Sequence, residues 1–219
     1  MAKREQKTKK SAGRDTTRER NRAGRATAVR IVEAAYEILR TGNYENLTMQ
    51  GVAYRLGIRL SNVQYYFRTR SELIKAIMEY VGNLYDQRYQ EILARAGESP
   101  AERFRAAVEF NFTDIGDPDT RHFFIQLWPL LSTADNYSGE LMQRLYEPQL
   151  KQLTVMIMEL TPQTTRTEAR LRAELIAAIF EGLMVTSPAS VDTAAHRKRL
   201  KAALINTAFS IAIGNDKQQ

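Results

Sequence analysis

From Leu47 to Phe67 the chain reads LTMQGVAYRLGIRLSNVQYYF. Leu47, Val52, Leu56, Ile58, Val63 and Phe67 are the apolar positions, spaced as two short helices sharing one small core. Thr48 is placed to cap the first helix, its hydroxyl accepting from an otherwise unpaired first-turn amide. Gly57 falls at the turn, where glycine tolerates the left-handed backbone that ends a helix. Ser61 opens S-x-x-Q, a capping box predicted to start the second helix. Asn62, Gln64, Tyr65 and Tyr66 are left for that helix's exposed side. Helix, glycine turn, helix is the layout in which a second helix enters the DNA major groove.

The order Thr48, Ala53, Leu56-Gly57-Ile58, Val63, Tyr65-Tyr66-Phe67, Arg70, Glu72-Leu73 resembles the DNA-binding domain of the TetR family of transcriptional regulators. The matching stretch runs from Ala26 to Ile77, and Arg70 stands where lysine is commoner in the family. The resemblance implies base-edge readers at Gln50, Arg59, Ser61, Gln64 and Tyr65. Their chemistry permits it: Gln pairs with adenine, Arg with guanine, and a tyrosine ring packs on a thymine methyl. It also implies phosphate contacts at Thr48, Asn62, Tyr66 and Arg70, which fix register without carrying sequence information. For Tyr65 a role propping the core of the head is the alternative.

The charge of the chain is unevenly placed. Residues 1–25 hold ten basic and three acidic side chains, net +7; residues 26–75 hold seven and four, net +3; the remainder holds fifteen and eighteen, net −3. A positive first third on a neutral-to-acidic body is the footprint of a nucleic-acid-binding head. Beyond the first Met, residues 1–25 contain no apolar side chain larger than alanine. They cannot offset the entropy of ordering, and are expected to form a disordered basic arm. Such an arm either solubilises the protein or tracks phosphates beside the head.

Helical periodicity continues to the end of the chain, with no alternating strand pattern. A first helix is predicted from Thr27 to Arg40, stopped by Gly42. Thr69-x-x-Glu72 opens a fourth, about twenty-five residues long and thus about 37 Å. Ser99-Pro100-x-Glu102 and Thr165-x-x-Glu168 read as further capping boxes, and Asp117-Pro118 and Ser138 as two more helix starts. Pro148 is expected to kink or shift the helix from Ser138 to Leu160. The last helix, about Thr193 to Ile213, is apolar on more than one face. The expected fold is all-α with about nine helices. It divides into the arm (1–25), a three-helix helix-turn-helix DNA-binding domain (26–75) and a helical ligand-binding and dimerisation domain (76–219).

Small residues Ala177, Ala178 and Gly182, with Ala202, Ala203 and Ala208, let the last two helices approach neighbours closely. In the resembling family these two helices pair with their copies. The chain is therefore expected to be a homodimer reading a palindromic operator in double-stranded DNA; an intrachain hairpin is the alternative. The same resemblance places a small-molecule site among the middle helices, with His122, Trp128, Tyr146 and Phe110 as candidates; a core role for each is the alternative. Glu181-Gly182 reads first as helix packing and second as a buried polar pocket.

The two histidines, His122 and His196, lack partners at metal-ligand spacing, and no nucleophile-elbow or phosphate-loop motif occurs, so no enzyme, metal or cofactor is expected. The chain has no cysteine, no run long enough for a membrane span and no apolar leader, so a cytoplasmic location is expected. These readings converge on a sequence-specific DNA-binding regulator, a repressor released by an effector. The alternative is a constitutive or architectural DNA-binding dimer that responds to no ligand.

Overall fold

The computed structural model describes residues 23–133, 138–187 and 193–214. The expected basic arm lies almost entirely outside the described residues. Nine α-helices and one short 3-10 turn make up the described chain, with no strand. They are α1 (residues 23–41), the turn Tyr44–Asn46, α2 (Met49–Leu56), α3 (Leu60–Tyr66) and α4 (Arg70–Arg95). After these come α5 (Pro100–Ile115), α6 (Pro118–Thr133), α7 (Ser138–Leu160), α8 (Arg166–Thr186) and α9 (Ala194–Ile213). The backbone divides into two compact units that meet in sequence at Ile77 and Met78, inside α4.

In the first unit, α1 buries Ile31, Val32, Ala35, Ile38 and Leu39, and it is already helical at residue 23, the first one described, four residues before the start expected at Thr27. Leu47, Val52, Val63, Leu73 and Ile77 are fully buried beside them in sequence order. Thr48 caps α2 as expected, its Oγ1 accepting from the Gly51 amide at 2.9 Å. A Cβ on Gly51 would meet the Asn46 carbonyl at 2.5 Å, so the chain entering α2 leaves room only for glycine. Gly57 closes α2 at φ 63, ψ 31, the left-handed conformation that a side chain disfavours.

The start of α3 departs from expectation. Its N-cap is Arg59, without a side-chain cap, and Ser61 already lies inside the helix. After the left-handed Gly57 the chain enters the helix two residues early, so the S-x-x-Q pattern never closes. At α4, Glu72 reaches the amide of Arg68 (2.7 Å) while Thr69 accepts from that of Glu72 (3.1 Å).

In the second unit, α5 lies against α7, α8 and α9, and α7 pairs along α8. Phe104, Ala107, Val108, Leu153, Ile157, Ala173, Ile176 and Phe180 form the core, joined by Leu204, Ile205 and Ala208 of α9. Ser99 and Glu102 make a full capping box on α5, and Thr165 and Thr193 cap α8 and α9. Helix α7 spans Ser138–Leu160 without interruption, with Pro148 inside it and Pro129 likewise inside α6. Buried Arg172 donates to the Ala212 carbonyl (3.1 Å) and pairs with Glu168 (2.9 Å), tying the end of α9 to α8. No helix among the described residues is long and apolar enough to cross a membrane.

Candidate DNA interface and internal cavity

Helix α3 buries one side chain, Val63, half-buries Tyr66 and presents the others. Leu60, Ser61, Asn62, Gln64 and Tyr65 are exposed, as are Arg59 before the helix and Gln50 on α2. Tyr65 is 81% exposed, too far out to prop a core, so the aromatic surface faces outward. It meets Tyr66 edge-on, ring centroids 5.1 Å apart, and Tyr66 is half-buried. The result is a short helix whose outward face carries an amide pair, a hydroxyl and a phenol, with a guanidinium before it. Those are donor and acceptor types suited to base edges.

Two expected phosphate contacts have internal partners. The Thr48 hydroxyl is engaged as the α2 cap. The Arg70 guanidinium donates through Nε to the Leu47 carbonyl (2.8 Å) and through Nη2 to that of Tyr44 (3.1 Å). Both groups remain exposed, with unused donor capacity on the guanidinium. Tyr54 on α2, 89% exposed, is a surface aromatic that sequence reading left without a role; alternation of exposed Gln50 and Tyr54 one turn apart was its only signal.

The second unit holds a cavity walled by five helices and partly open to solvent. Its walls come from α4 (Val81, Tyr85, Tyr89), α5 (Asn111, Asp114), α6 (Phe124), α7 (Tyr146, Gln149, Gln152) and α8 (Phe180, Glu181, Met184). Tyr146, predicted from sequence, lines it. Phe110 stands one layer behind, edge-on to Tyr89 (5.1 Å) and Tyr85 (6.3 Å). Trp128 lies close to Tyr146 but is not a wall residue. Neither is His122: Phe124 faces the cavity, and a residue two positions earlier falls on the opposite side of α6. The wall residues that sequence reading passed over had a signal, polar groups such as Asn111 at buried register.

The polar wall is organised by hydrogen bonds. Asn111 donates to the Tyr89 hydroxyl and to the Ala107 carbonyl (2.8 Å), and accepts from Gln149 Nε2 (2.8 Å). Burial pushes the Tyr89 phenol up to about 12, so it stays protonated. Tyr85 donates to Asp114, which Arg88 also meets at 3.2 Å. Burial nonetheless raises the Asp114 carboxyl above its ordinary value, outweighing the Tyr85 hydrogen bond and the Arg88 charge. Glu181 is likewise raised by burial, opposed by its hydrogen bond with Tyr146. Tyr146 is itself raised, by burial and then by the Glu181 charge. Among the described residues no cluster of His, Cys, Asp and Glu is arranged to hold a metal ion.

No protein-family model matches the chain. The HTH-type transcriptional regulator BetI of Serratia proteamaculans is 25% identical over 194 residues, spanning 85% of this chain and 87% of that one. A TetR-family transcriptional regulator from Agrobacterium tumefaciens shares the fold at TM-score 0.64 and 18% identity, over 84% of this chain and 98% of its own. A transcriptional regulator from Saccharomonospora viridis, solved in complex with choline, superposes at TM-score 0.65 and 17% identity, over 82% and 93%.

Proposed function

We propose that this chain, a DNA-binding transcriptional regulator of the TetR type, acts as a homodimeric repressor that a small-molecule effector releases from a palindromic operator. The observation that carries the reading is a cavity with charged and aromatic walls in the same unit as an unpartnered apolar helix face. On α8, Leu171 and Leu175 are 51% exposed and Val185 is 55% exposed. With exposed Ala178 and Gly182 between them, they recur every three or four residues, a single stripe. Ala202 and Ala203 on α9 are exposed as well. A second copy of the chain would cover this face with an isologous helix pairing. Two α3 helices related by a twofold would then read half-sites one DNA turn apart.

The relatives are transcriptional regulators rather than enzymes, and one neighbour of the fold was solved with choline bound. Both support a ligand-responsive regulator over a constitutive architectural protein. The effector is proposed to occupy the cavity beside Tyr85, Tyr89 and Tyr146. Helix α4 supplies two of those side chains and continues, without a break, into the residues that precede Ile77. Displacing it would alter the spacing of the two heads, so that the pair no longer matched successive major grooves. That requires an effector that favours the non-binding conformation; a coupling of about 1–3 kcal/mol weakens DNA binding 5- to 150-fold.

The test begins by selecting genomic fragments with the pure protein and locating the bound sequence. A palindrome protected by one dimer supports the reading; sequence-independent binding overturns it. Compounds suggested by the adjoining genes are then titrated against Trp128 fluorescence, with and without operator. Reciprocity requires operator to weaken effector binding by the factor that effector weakens operator binding. An effector bound equally in both cases leaves the body as a dimerisation scaffold.

A further inference from the structure

Two residues of the cavity wall each carry a buried oxygen without a hydrogen-bond partner among the described residues, Oε2 of Glu181 and Oε1 of Gln152. Both are acceptors. The Gln152 amide is oriented by its other end, since Nε2 donates to Asp86 Oδ1 at 3.3 Å and a carboxylate can only accept there. Tyr146 takes part of the Glu181 carboxyl, and Oε2 is left facing no donor. Buried acceptors in this state are satisfied by whatever fills the space.

The charge of the wall points the same way. Asp86, Asp114 and Glu181 line the cavity, and among the described residues no Lys, Arg or His does. Asp114 has its cation in Arg88, from outside the lining. Around the acceptors stand the faces and edges of Tyr85, Tyr89, Tyr146, Phe124 and Phe180. Rings of this kind attract a cation and shelter an apolar body.

We propose that the cavity takes an organic cation bearing N–H donors: a primary or secondary ammonium on an apolar or aromatic body, donating to Glu181 Oε2 and offering a further donor to Gln152 Oε1. The inference rests on the reading of the cavity as the effector site, and it excludes two neighbouring chemistries. A quaternary ammonium brings the charge with no N–H. An alcohol brings a donor with no charge. Neither satisfies the Glu181 carboxylate in both respects.

The experiment uses the full-length protein without DNA and three matched probes: phenethylammonium, its N,N,N-trimethyl derivative and 2-phenylethanol, titrated by calorimetry. Phenethylammonium is expected to bind about 10- to 100-fold tighter than either, the span of one hydrogen bond to a charged group. Glu181→Gln should abolish the preference, and Gln152→Leu should weaken the amine while leaving 2-phenylethanol unchanged. Thermal melts check that both variants fold. An equally tight trimethyl derivative overturns N–H donation, an equally tight alcohol overturns the charge, and no binding of the amine overturns the class. Release of operator is measured separately. If the amine binds and operator stays bound, the effector reading fails and the ligand class stands; if a neutral or anionic compound alone releases operator, the reverse holds.

Discussion

Arg70 donates from Nε to the carbonyl of Leu47 at 2.8 Å, bridging the start of α4 to the residue that leads into α2. A second donor from the same guanidinium reaches Tyr44 in the 3-10 turn. The guanidinium presents its donors in a rigid planar fork, a geometry that a lysine ammonium does not reproduce. Arg70→Lys keeps the charge and loses one of the two bonds, so the head should lose about 1 kcal/mol of stability. DNA affinity should fall by one factor for operator and random sequence alike. Thermal melts and anisotropy titrations read both. A unchanged melt with weakened DNA binding would return Arg70 to a phosphate contact alone.

Gln64 is different in kind, since it is exposed on α3 and is not the N-cap or the buried residue of that helix. Gln64→Ala should leave the melt unmoved. Operator affinity should drop by about 1–3 kcal/mol, and the preference at one base position should relax. Loss of affinity shared equally by every sequence would remove Gln64 from the base readers.

The head was legible in sequence because its determinants are local. Thr48 and Gly51 are three residues apart, and Gly57 carries its own backbone requirement. Ser99 with Glu102, and Thr165 with Glu168, are likewise short-range; the first forms the full capping box as read, and the second forms the half in which Thr165 accepts from the Glu168 amide. Ser61 was misread for the same reason: the motif is local, yet the turn before it decides where the helix begins. The cavity was legible only in part. Tyr146 was a candidate from sequence and Glu181 a second reading, whereas Asp114 and Gln152 reach the same cavity from two other helices, separated by tens of residues. In sequence each of those two is one polar residue beside an apolar stripe, a pattern most often solvated. For His122 and Trp128 the resemblance indicates a region, the middle helices, and not which face of α6 lines the cavity.

The apolar stripe of α8 gives a third expectation. Leu175 is half-exposed at 51%, so Leu175→Glu adds a charge without cutting into the core. Burying two such carboxylates face to face across a twofold is strongly unfavourable. The variant should sediment as a folded monomer at concentrations where the parent is a dimer, and its affinity for a palindrome should fall to that of a single half-site. A dimeric variant would move the interface elsewhere, and a monomeric parent would overturn the homodimer.

Residues 2–22 precede the described chain and carry nine basic and three acidic side chains. Deleting them should lower affinity for DNA and make its dependence on salt shallower, because fewer counterions are released. The melting temperature should hardly move. An identical salt slope would confine the segment to solubility.

Burial raises the Glu181 carboxyl above its ordinary 4.5, and the Tyr146 hydrogen bond opposes this only in part. A folded-state pKa above the unfolded one means that the folded protein holds the proton more tightly than the unfolded chain does. The ionised form present at higher pH therefore costs stability, which is recovered as the pH falls through the raised pKa toward 4.5. Asp114 is raised in the same direction and contributes equally to parent and variant. Glu181→Gln keeps the shape of the side chain and removes the titration. The variant should melt above the parent at alkaline pH, with the gap closing as the pH is lowered. Calorimetric melts of both proteins across that range read the gap directly. An organic cation that binds beside Glu181 should narrow the gap at high pH by stabilising the parent alone. A gap that widens on acidification would mean that the folded protein holds this carboxyl in its ionised form, and that its partner in the cavity wall is already present.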